Sequence, residues 1–285
     1  MSDGSDSIEL VYFSGTGNTG YLADLLTEKF ARRGIPVRLT RLEAASGFTP
    51  PAGAVLGLAY PIHALNAPSP VFDFIATLPP GTGRRAFIVK GPADPLLAGG
   101  SSHLVIGALK ERGWEVFHES MVVMPSNVLI RYPDPFIRRL LSAAERRAET
   151  IVFEVSAGIS RLAVPGPLSR FLTRHLSRLE RRGAKYFGRD LRVSPACDLC
   201  GLCVRSCPVG NIRREGERIV FSDRCIICMR CIYLCPREAI SPRVFKFFKL
   251  KRWYSLSAPA GPGREELRAE ADGIFRFFRR YLESS

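Results

Sequence analysis

"YFSGTGNTGYLA" (residues 12–23) follows the apolar run "IELV" and opens a helical pattern. It contains Gly15-x-Gly17-x-x-Gly20, the spacing of a turn that lets a pyrophosphate approach the backbone. The same residues set the Ser14, Thr16 and Thr19 hydroxyls and the Asn18 amide around Gly17, a donor set suited to a single terminal phosphate. A phosphomonoester carries nearly two negative charges and must be surrounded by donors. A pyrophosphate passes across its loop and needs close backbone approach more than hydroxyls. Both readings predict a strand, a glycine-rich turn and a helix, in that order.

The chain beyond the turn keeps that alternation. In the helix after it, Tyr21, Leu22, Leu25, Leu26 and Phe30 share a face, and Gly34 ends the pattern. "PVRLTRL" (36–42), "AVLGLAYP" (54–61), "RRAFIVKGP" (84–92) and "WEVFHESMVVMP" (114–125) read as further strands. "PSPVFDFIATL" (68–78) and "GGSSHLVIGALKERG" (99–113) read as helices between them, and Asp134-Pro135 starts a last helix. This predicts an α/β fold, a doubly wound parallel sheet of order 2-1-3-4-5, the flavodoxin-like arrangement that holds FMN where the first and third strands diverge. With three hydroxyls in the loop, FMN is the favoured ligand over NAD. Glu43 argues the other way, since it lies near the end of the second strand, where a dinucleotide fold keeps its ribose-binding acid. The candidate phosphate residues are Ser14, Thr16, Gly17, Asn18 and Thr19. Tyr60, Pro61, Ile62, His63 and Gly91, at the carboxyl ends of the third and fourth strands, are the candidates beside the flavin ring.

All eight cysteines fall between Cys197 and Cys235. "CDLCGLCVRSCP" supplies Cys197, Cys200, Cys203 and Cys207; "CIICMRCIYLCP" supplies Cys225, Cys228, Cys231 and Cys235, each ligand recurring 28 residues later. The run C-x2-C-x2-C-x3-C-P lets a chain curl around a cube so that successive thiolates reach different irons. Zinc knuckles also use C-x2-C pairs, but zinc takes four ligands and closes locally. The run is the signature of bacterial ferredoxins, in which the fourth Cys ligates the other cluster. It therefore implies one [4Fe–4S] cluster on Cys197, Cys200, Cys203 and Cys235, and a second on Cys225, Cys228, Cys231 and Cys207. Ile212 and Ile240, at matching positions, are expected to shield the clusters from water.

The composition, 46% hydrophobic and 24% charged, is that of a globular protein, and 285 residues suffice for two cores. The start of the chain is acidic and polar and no long apolar run is present, so the expected location is cytoplasmic. The net charge of +14 is uneven: residues 1–130 hold 10 Lys/Arg against 11 Asp/Glu, and residues 131–285 hold 31 against 16. Arg205, Arg213, Arg214, Arg224, Arg230 and Arg237, among the cysteines, are placed to offset about −2 per oxidised cluster.

The loop at residues 14–19 in front and the tandem cysteine runs behind resemble the flavodoxin–ferredoxin fusion proteins of anaerobic prokaryotes, loosely over residues 8–130 and specifically over 197–240. The resemblance implies a flavodoxin-like FMN domain (1–160), a basic linker helix (161–192), a small α+β two-[4Fe–4S] ferredoxin domain (193–245) and a basic, aromatic C-terminal extension (246–285). It implies electron transfer between FMN and two clusters within one chain, coupling one- and two-electron redox protein partners. The alternative is a flavin-dependent reductase of a small organic substrate, fed by the clusters.

Two basic segments remain. In "PGPLSRFLTRHLSRLERRGAKYFG" (165–188), Leu168, Phe171, Leu172, Leu176 and Leu179 share a face opposite Arg170, Arg174, Arg178, Arg181 and Arg182. This helix is expected either to pack one domain on the other or to lie on an anionic membrane or acidic protein. "RVFKFFKLKRWYSL" (243–256) is expected to cover the ferredoxin module. No nucleic-acid-binding motif accompanies the charge. His103, His118 and His175 have no partner pattern and read as structural.

Overall fold

The computed structural model describes residues 7–63, 65–95, 101–163, 165–251, 256 and 278–283. Residues 99–100 of the expected third helix, part of the loop 91–101, and most of the C-terminal extension, including 252–255, lie outside the described residues.

Five strands form one parallel sheet: β1 (Ile8–Tyr12), β2 (Val37–Arg41), β3 (Val55–Pro61), β4 (Arg84–Gly91) and β5 (Trp114–Met121). Their order is β2-β1-β3-β4-β5, as the alternation predicts. β1 lies between β2 and β3, with Tyr12 level with Arg41 on one side and Ala59 on the other. The order reverses at β1, so the carboxyl ends of β1 and β3 diverge and leave a crevice.

Both faces of the sheet are covered. α1 (Asn18–Arg32) and α4 (Asp134–Ser156) bury Leu22, Leu26, Phe30, Leu140, Ala144 and Val152 against one face. α2 (Ser69–Thr77) and α3 (His103–Glu111) bury Phe74, Ile75, Val105 and Leu109 against the other. The central strands β1, β3 and β4 are apolar on both sides and satisfy this arrangement, whereas the edge strand β2 (VRLTR) alternates and is partly exposed. His118 is fully buried beside Ser120, whose Oγ lies 2.8 Å from its Nε2, and has the structural role expected of it.

α5 (Pro167–Asp190) leads directly into the second half: β6 (Leu191–Val193), α6 (Leu202–Ser206), β7 (Ile212–Glu215), β8 (Arg218–Phe221), α7 (Arg230–Tyr233) and β9 (Ile240–Pro242). β6 pairs antiparallel with β9 and β7 with β8. Their core is small: Phe187, Leu191, Met229, Ile232, Tyr233, Ile240 and Leu250. Near the chain's end α8 (Arg279–Glu283) returns to the first half, where the Tyr281 hydroxyl accepts the Val123 N–H at 2.8 Å.

The sequence expectation for α5 needs one correction. The helix forms, but among its described side chains the expected leucine face is not the one that packs. Thr173, Ser177, Ala184 and Phe187 are buried, whereas Leu168, Phe171 and Leu179 face solvent.

Candidate functional site

The turn between β1 and α1 is built by its glycines. Gly17 adopts φ 106 at the head of α1, a conformation that side-chain-bearing residues rarely take, and its N–H reaches Ser14 Oγ at 3.2 Å. The helix therefore begins with its unpaired N–H groups and positive dipole end at the crevice. The Thr16 hydroxyl accepts from Asn127 Nδ2 at 2.6 Å, which leaves its own proton to donate. The Asn18 amide donates to the Pro125 carbonyl at 2.8 Å and so ties the turn to the chain after β5. Thr19 Oγ1 is buried with no partner in the protein.

These residues close one end of a cavity of about 360 Å³. Ser14, Gly15, Thr16, Asn18 and Thr19 line that end; Pro61, Ile62, His63 and Gly91 line the wall at the ends of β3 and β4. The remaining wall is mostly apolar, with Val128, Leu129, Ile227 and Phe248. A polar, donor-rich end joined to an apolar slot of this size suits a phosphate carried on a flat ring. The orphaned Thr19 hydroxyl needs an acceptor from outside the protein, because an unpaired buried hydroxyl costs about 1–3 kcal/mol. The residues present thus fit FMN.

Tyr60, the other expected ring neighbour, is fully exposed to neither cavity nor solvent; it is buried in the layer under α2 and α3. His63 and Asn66 exchange backbone hydrogen bonds at 2.8 Å in both directions, which fixes the loop after β3. Burial pushes the His63 imidazole down to about 4, against a hydrogen bond to the Ile226 carbonyl that favours the charged form. His63 is therefore neutral at pH 7.

The cysteines surround two further cavities. Cys197, Cys200, Cys203 and Cys235 line one with Ile219 and Ile240; Cys207, Cys225, Cys228 and Cys231 line the other with Ile212 and Ile232. The backbone of the two halves repeats as the sequence does. Leu199 and Ile227 have φ 58 and 52, Gly201 and Met229 have 72 and 59, and Gly210 and Glu238 have 56 and 47. Left-handed residues at these positions turn successive N–H groups into a concave nest that favours an anion. Three such N–H groups reach sulfur: Asn211 to Cys207 Sγ at 3.2 Å, Ile227 to Cys225 Sγ and Ala239 to Cys235 Sγ at 3.4 Å. Burial raises the free thiols of Cys203, Cys225, Cys228 and Cys231, with Cys225 pushed up to about 12 and Cys231 held well above the ordinary thiol range. Only Cys200 is exposed.

Residues 189–236 match the 4Fe-4S dicluster domain family. A ferredoxin of Methanothermococcus thermolithotrophicus is 36% identical over 44 residues, 15% of this chain and 73% of that protein. The chain belongs to the ferredoxin family. Its ferredoxin module follows a domain with the flavodoxin-like strand order, so the whole is a flavodoxin–ferredoxin fusion. Solved structures similar to the first half include the flavodoxin of Streptococcus pneumonia TIGR4, at 20% identity, 53% of this chain, 99% of that chain and a TM-score of 0.39. The two-electron reduced flavodoxin of Megasphaera elsdenii matches at 23% identity, 50% of this chain, 98% of that chain and a TM-score of 0.36. General stress protein 14 of Treponema denticola, in complex with FMN, matches at 12% identity, 53% and 99% coverage and a TM-score of 0.38. The fold is assigned from the strand order.

The ferredoxin module and the flavodoxin-like domain meet at the turn of residues 14–19. A Cβ on Gly15 would collide with the Cys228 carbonyl oxygen, and Cys228 and Ile227 line the turn's own cavity. Arg230, two residues beyond Cys228 and 3% exposed, donates to the Ser14 carbonyl at 2.5 Å, the Ser206 carbonyl at 2.9 Å and the Gly15 carbonyl at 3.4 Å. It also pairs with Glu43 at 2.5 Å. Glu43, which on sequence argued for NAD, is held in this junction by Arg230 and Arg41.

Three contributors had little signal in the sequence. Asn127 and Phe248 join the cavity from distant loops. Glu180 does so from α5, where it sits among arginines, and burial pushes its carboxyl up to about 7. Glu180 and His63 also line a second cavity of about 430 Å³, with Ser69, Phe72, Arg181, Lys185 and Arg224. Among the described residues no helix is long and apolar enough to cross a membrane.

Proposed function

We propose that the chain transfers electrons internally between FMN, bound at the turn of residues 14–19, and two [4Fe–4S] clusters bound by the crossed cysteine sets. The reading rests on one observation: Cys228, a member of one thiol set, also lines the cavity that begins at Ser14. When bound, the flavin holds one or two electrons and each cube passes one, so the pairing couples two-electron to one-electron partners.

The chain's own residues do the holding. The Thr16 and Thr19 hydroxyls and the N–H groups at the head of α1 bind the phosphate, while Asn18 and Asn127 fix the turn. Neutral His63 borders the ring without adding charge. Cys207, Cys225, Cys228 and Cys231 hold the cluster beside the flavin. Cys197, Cys200, Cys203 and Cys235 hold the outer one, whose exposed Cys200 marks the side open to a protein partner. Arg230 keeps the flavin turn and the inner set in register.

Anaerobic purification tests this. The protein should carry about eight irons, about eight sulfides and roughly one FMN per chain. Partial reduction should bleach the yellow and brown chromophores together. Protein reconstituted without oxygen that binds no flavin, or whose chromophores never equilibrate, would refute it.

The cavity shared by His63 and Glu180 favours a second reading, in which a small organic electrophile is reduced there. Saturable reoxidation of the reduced protein by such a compound would support it, and strictly linear dependence on concentration would exclude it.

A further inference from the structure

α5 has three faces. The packed one is narrow and mostly small or polar: Thr173, Ser177 and Ala184 are 2%, 4% and 2% exposed, with Phe187 joining the ferredoxin core. The second carries Leu168, Phe171, Leu179 and Tyr186, exposed at 69%, 58%, 65% and 64%. Successive members lie three, eight and seven residues apart, which keeps them on a single stripe. The third carries Arg170, Arg174 and Arg178, all exposed, and Arg181 and Lys185, exposed at the rim of the cavity that His63 and Glu180 line. Both acids of the helix lie inward: Glu180 lines the inner cavities, and Asp190 accepts the Val244 and Phe245 N–H groups. The two outward faces therefore combine apolar and cationic residues with no acid, along 24 residues or roughly 36 Å.

This is the reverse of a helix held by its own protein's core, which buries its large apolar residues and exposes its small polar ones. The pattern continues at the carboxyl end of α5. Phe245 and Phe248 pack on Phe187 with ring centroids at 6.2 and 5.4 Å, and beside them Val244 and Phe247 are 68% and 60% exposed next to Arg243 and Lys246.

We propose that α5 lies flat on an anionic lipid bilayer, with Leu168, Phe171, Leu179 and Tyr186 at the acyl boundary and its arginines and lysine among the headgroup phosphates. Two features favour a bilayer over a protein groove. The stripe runs the length of the helix, with Leu176 also 40% exposed, so a protein would need a matching row of pockets, whereas fluid lipid accepts any spacing. The cationic face is unbroken by acid and follows the stripe throughout, as a uniformly negative plane requires. The assignment is independent of any flavin or cluster in the protein.

Cosedimentation of the full-length, anaerobically purified protein with vesicles tests it. The protein should pellet with phosphatidylcholine vesicles containing about 30% phosphatidylglycerol and not with phosphatidylcholine alone. Binding should fall about tenfold or more in about 0.5 M salt. Phe171→Ser with Leu179→Ser should weaken binding about tenfold at unchanged iron content and circular dichroism, because neither side chain supports the core. Arg174→Gln with Arg178→Gln should reduce the preference for anionic vesicles. No pelleting with anionic vesicles at low salt overturns the proposal, as does binding that both double variants retain in full. A concentration-dependent dimer, lost in the serine variant and formed without any vesicle binding, would assign the stripe to a second copy and equally overturn it.

Discussion

Arg230 Nη2 lies 2.5 Å from Glu43 Oε1, across the junction of the flavodoxin-like domain and the ferredoxin module. The same guanidinium donates to the carbonyls of Ser14 and Ser206, so it joins the turn of residues 14–19, the turn after β2 and the second half of the chain. Removing a buried charge from its partner costs about 3–5 kcal/mol, discounted here because Glu43 retains some contact with water. Arg230→Met should therefore destabilise the junction by about 2–3 kcal/mol, and Glu43→Gln, which keeps a hydrogen-bond acceptor, by about 1 kcal/mol. Thermal unfolding followed separately by flavin fluorescence and by cluster absorbance checks this. Wild-type traces should coincide, and Arg230→Met should lower both and separate them. An unchanged midpoint would remove Arg230 from the docking role.

Gly15 lies where the backbones of the two halves come together. Any Cβ there meets the Cys228 carbonyl, a backbone atom that cannot swing aside. Gly15→Ala should cost about 1–3 kcal/mol of overpacking and loosen the fit between turn and inner thiol set. Its signature is selective. Iron content should hold while flavin retention and the rate of flavin–cluster equilibration fall, whereas Gly47→Ala, at a φ of 66 with open space around it, should lower stability alone. Equal effects from both substitutions would show that Gly15 acts only through local backbone freedom.

How much of this could be read beforehand differs by element. The sheet order followed from apolar runs alternating with helical periodicity, and the two cysteine runs from their spacing, because both signals are local; the crossed grouping of the cysteines is what the resemblance to bacterial ferredoxins implies. Tyr60 was legible as a neighbour of the crevice but not as a core residue. A strand buried on both faces has no polar alternation to say which way a side chain points. α5 was legible as amphipathic, yet periodicity gives a stripe without saying whether protein or solvent covers it. Arg230 looked like any arginine among the cysteines. Its role depends on Ser14 and Glu43, more than 180 residues away in the sequence, and no local pattern carries that.

The pairing of thiols around the two cavities makes Cys207 the discriminating ligand. It lies in the first cysteine run but lines the cavity of Cys225, Cys228 and Cys231. Cys207→Ser should lower the iron content from about eight toward about four per chain, with the surviving signal that of the outer cluster. Because Cys228 of that set also lines the cavity proposed for the flavin, equilibration between flavin and the remaining cluster should slow as well. Iron loss confined to the outer cluster would instead assign Cys207 to its own run.

Stability against pH offers a check on the cavity walls that needs no turnover. His63 titrates near 4 in the folded chain, below its ordinary 6.5. Between those values the unfolded chain binds the extra proton, so stability is complete above about pH 6.5 and declines as pH falls toward 4. Glu180 runs the other way. Its carboxyl titrates near 7 in the folded chain against an ordinary 4.5, so the folded chain holds the extra proton and stability declines as pH rises from 4.5 to 7. Over about pH 5–6.5 the two slopes oppose each other, and the wild-type profile should be nearly flat in that range if these two groups dominate. His63→Gln should leave a stability that falls as pH rises, and Glu180→Gln one that climbs as pH rises. Chemical denaturation at three or four pH values measures both, and parallel profiles for the two variants would mean that neither side chain titrates in the enclosed wall.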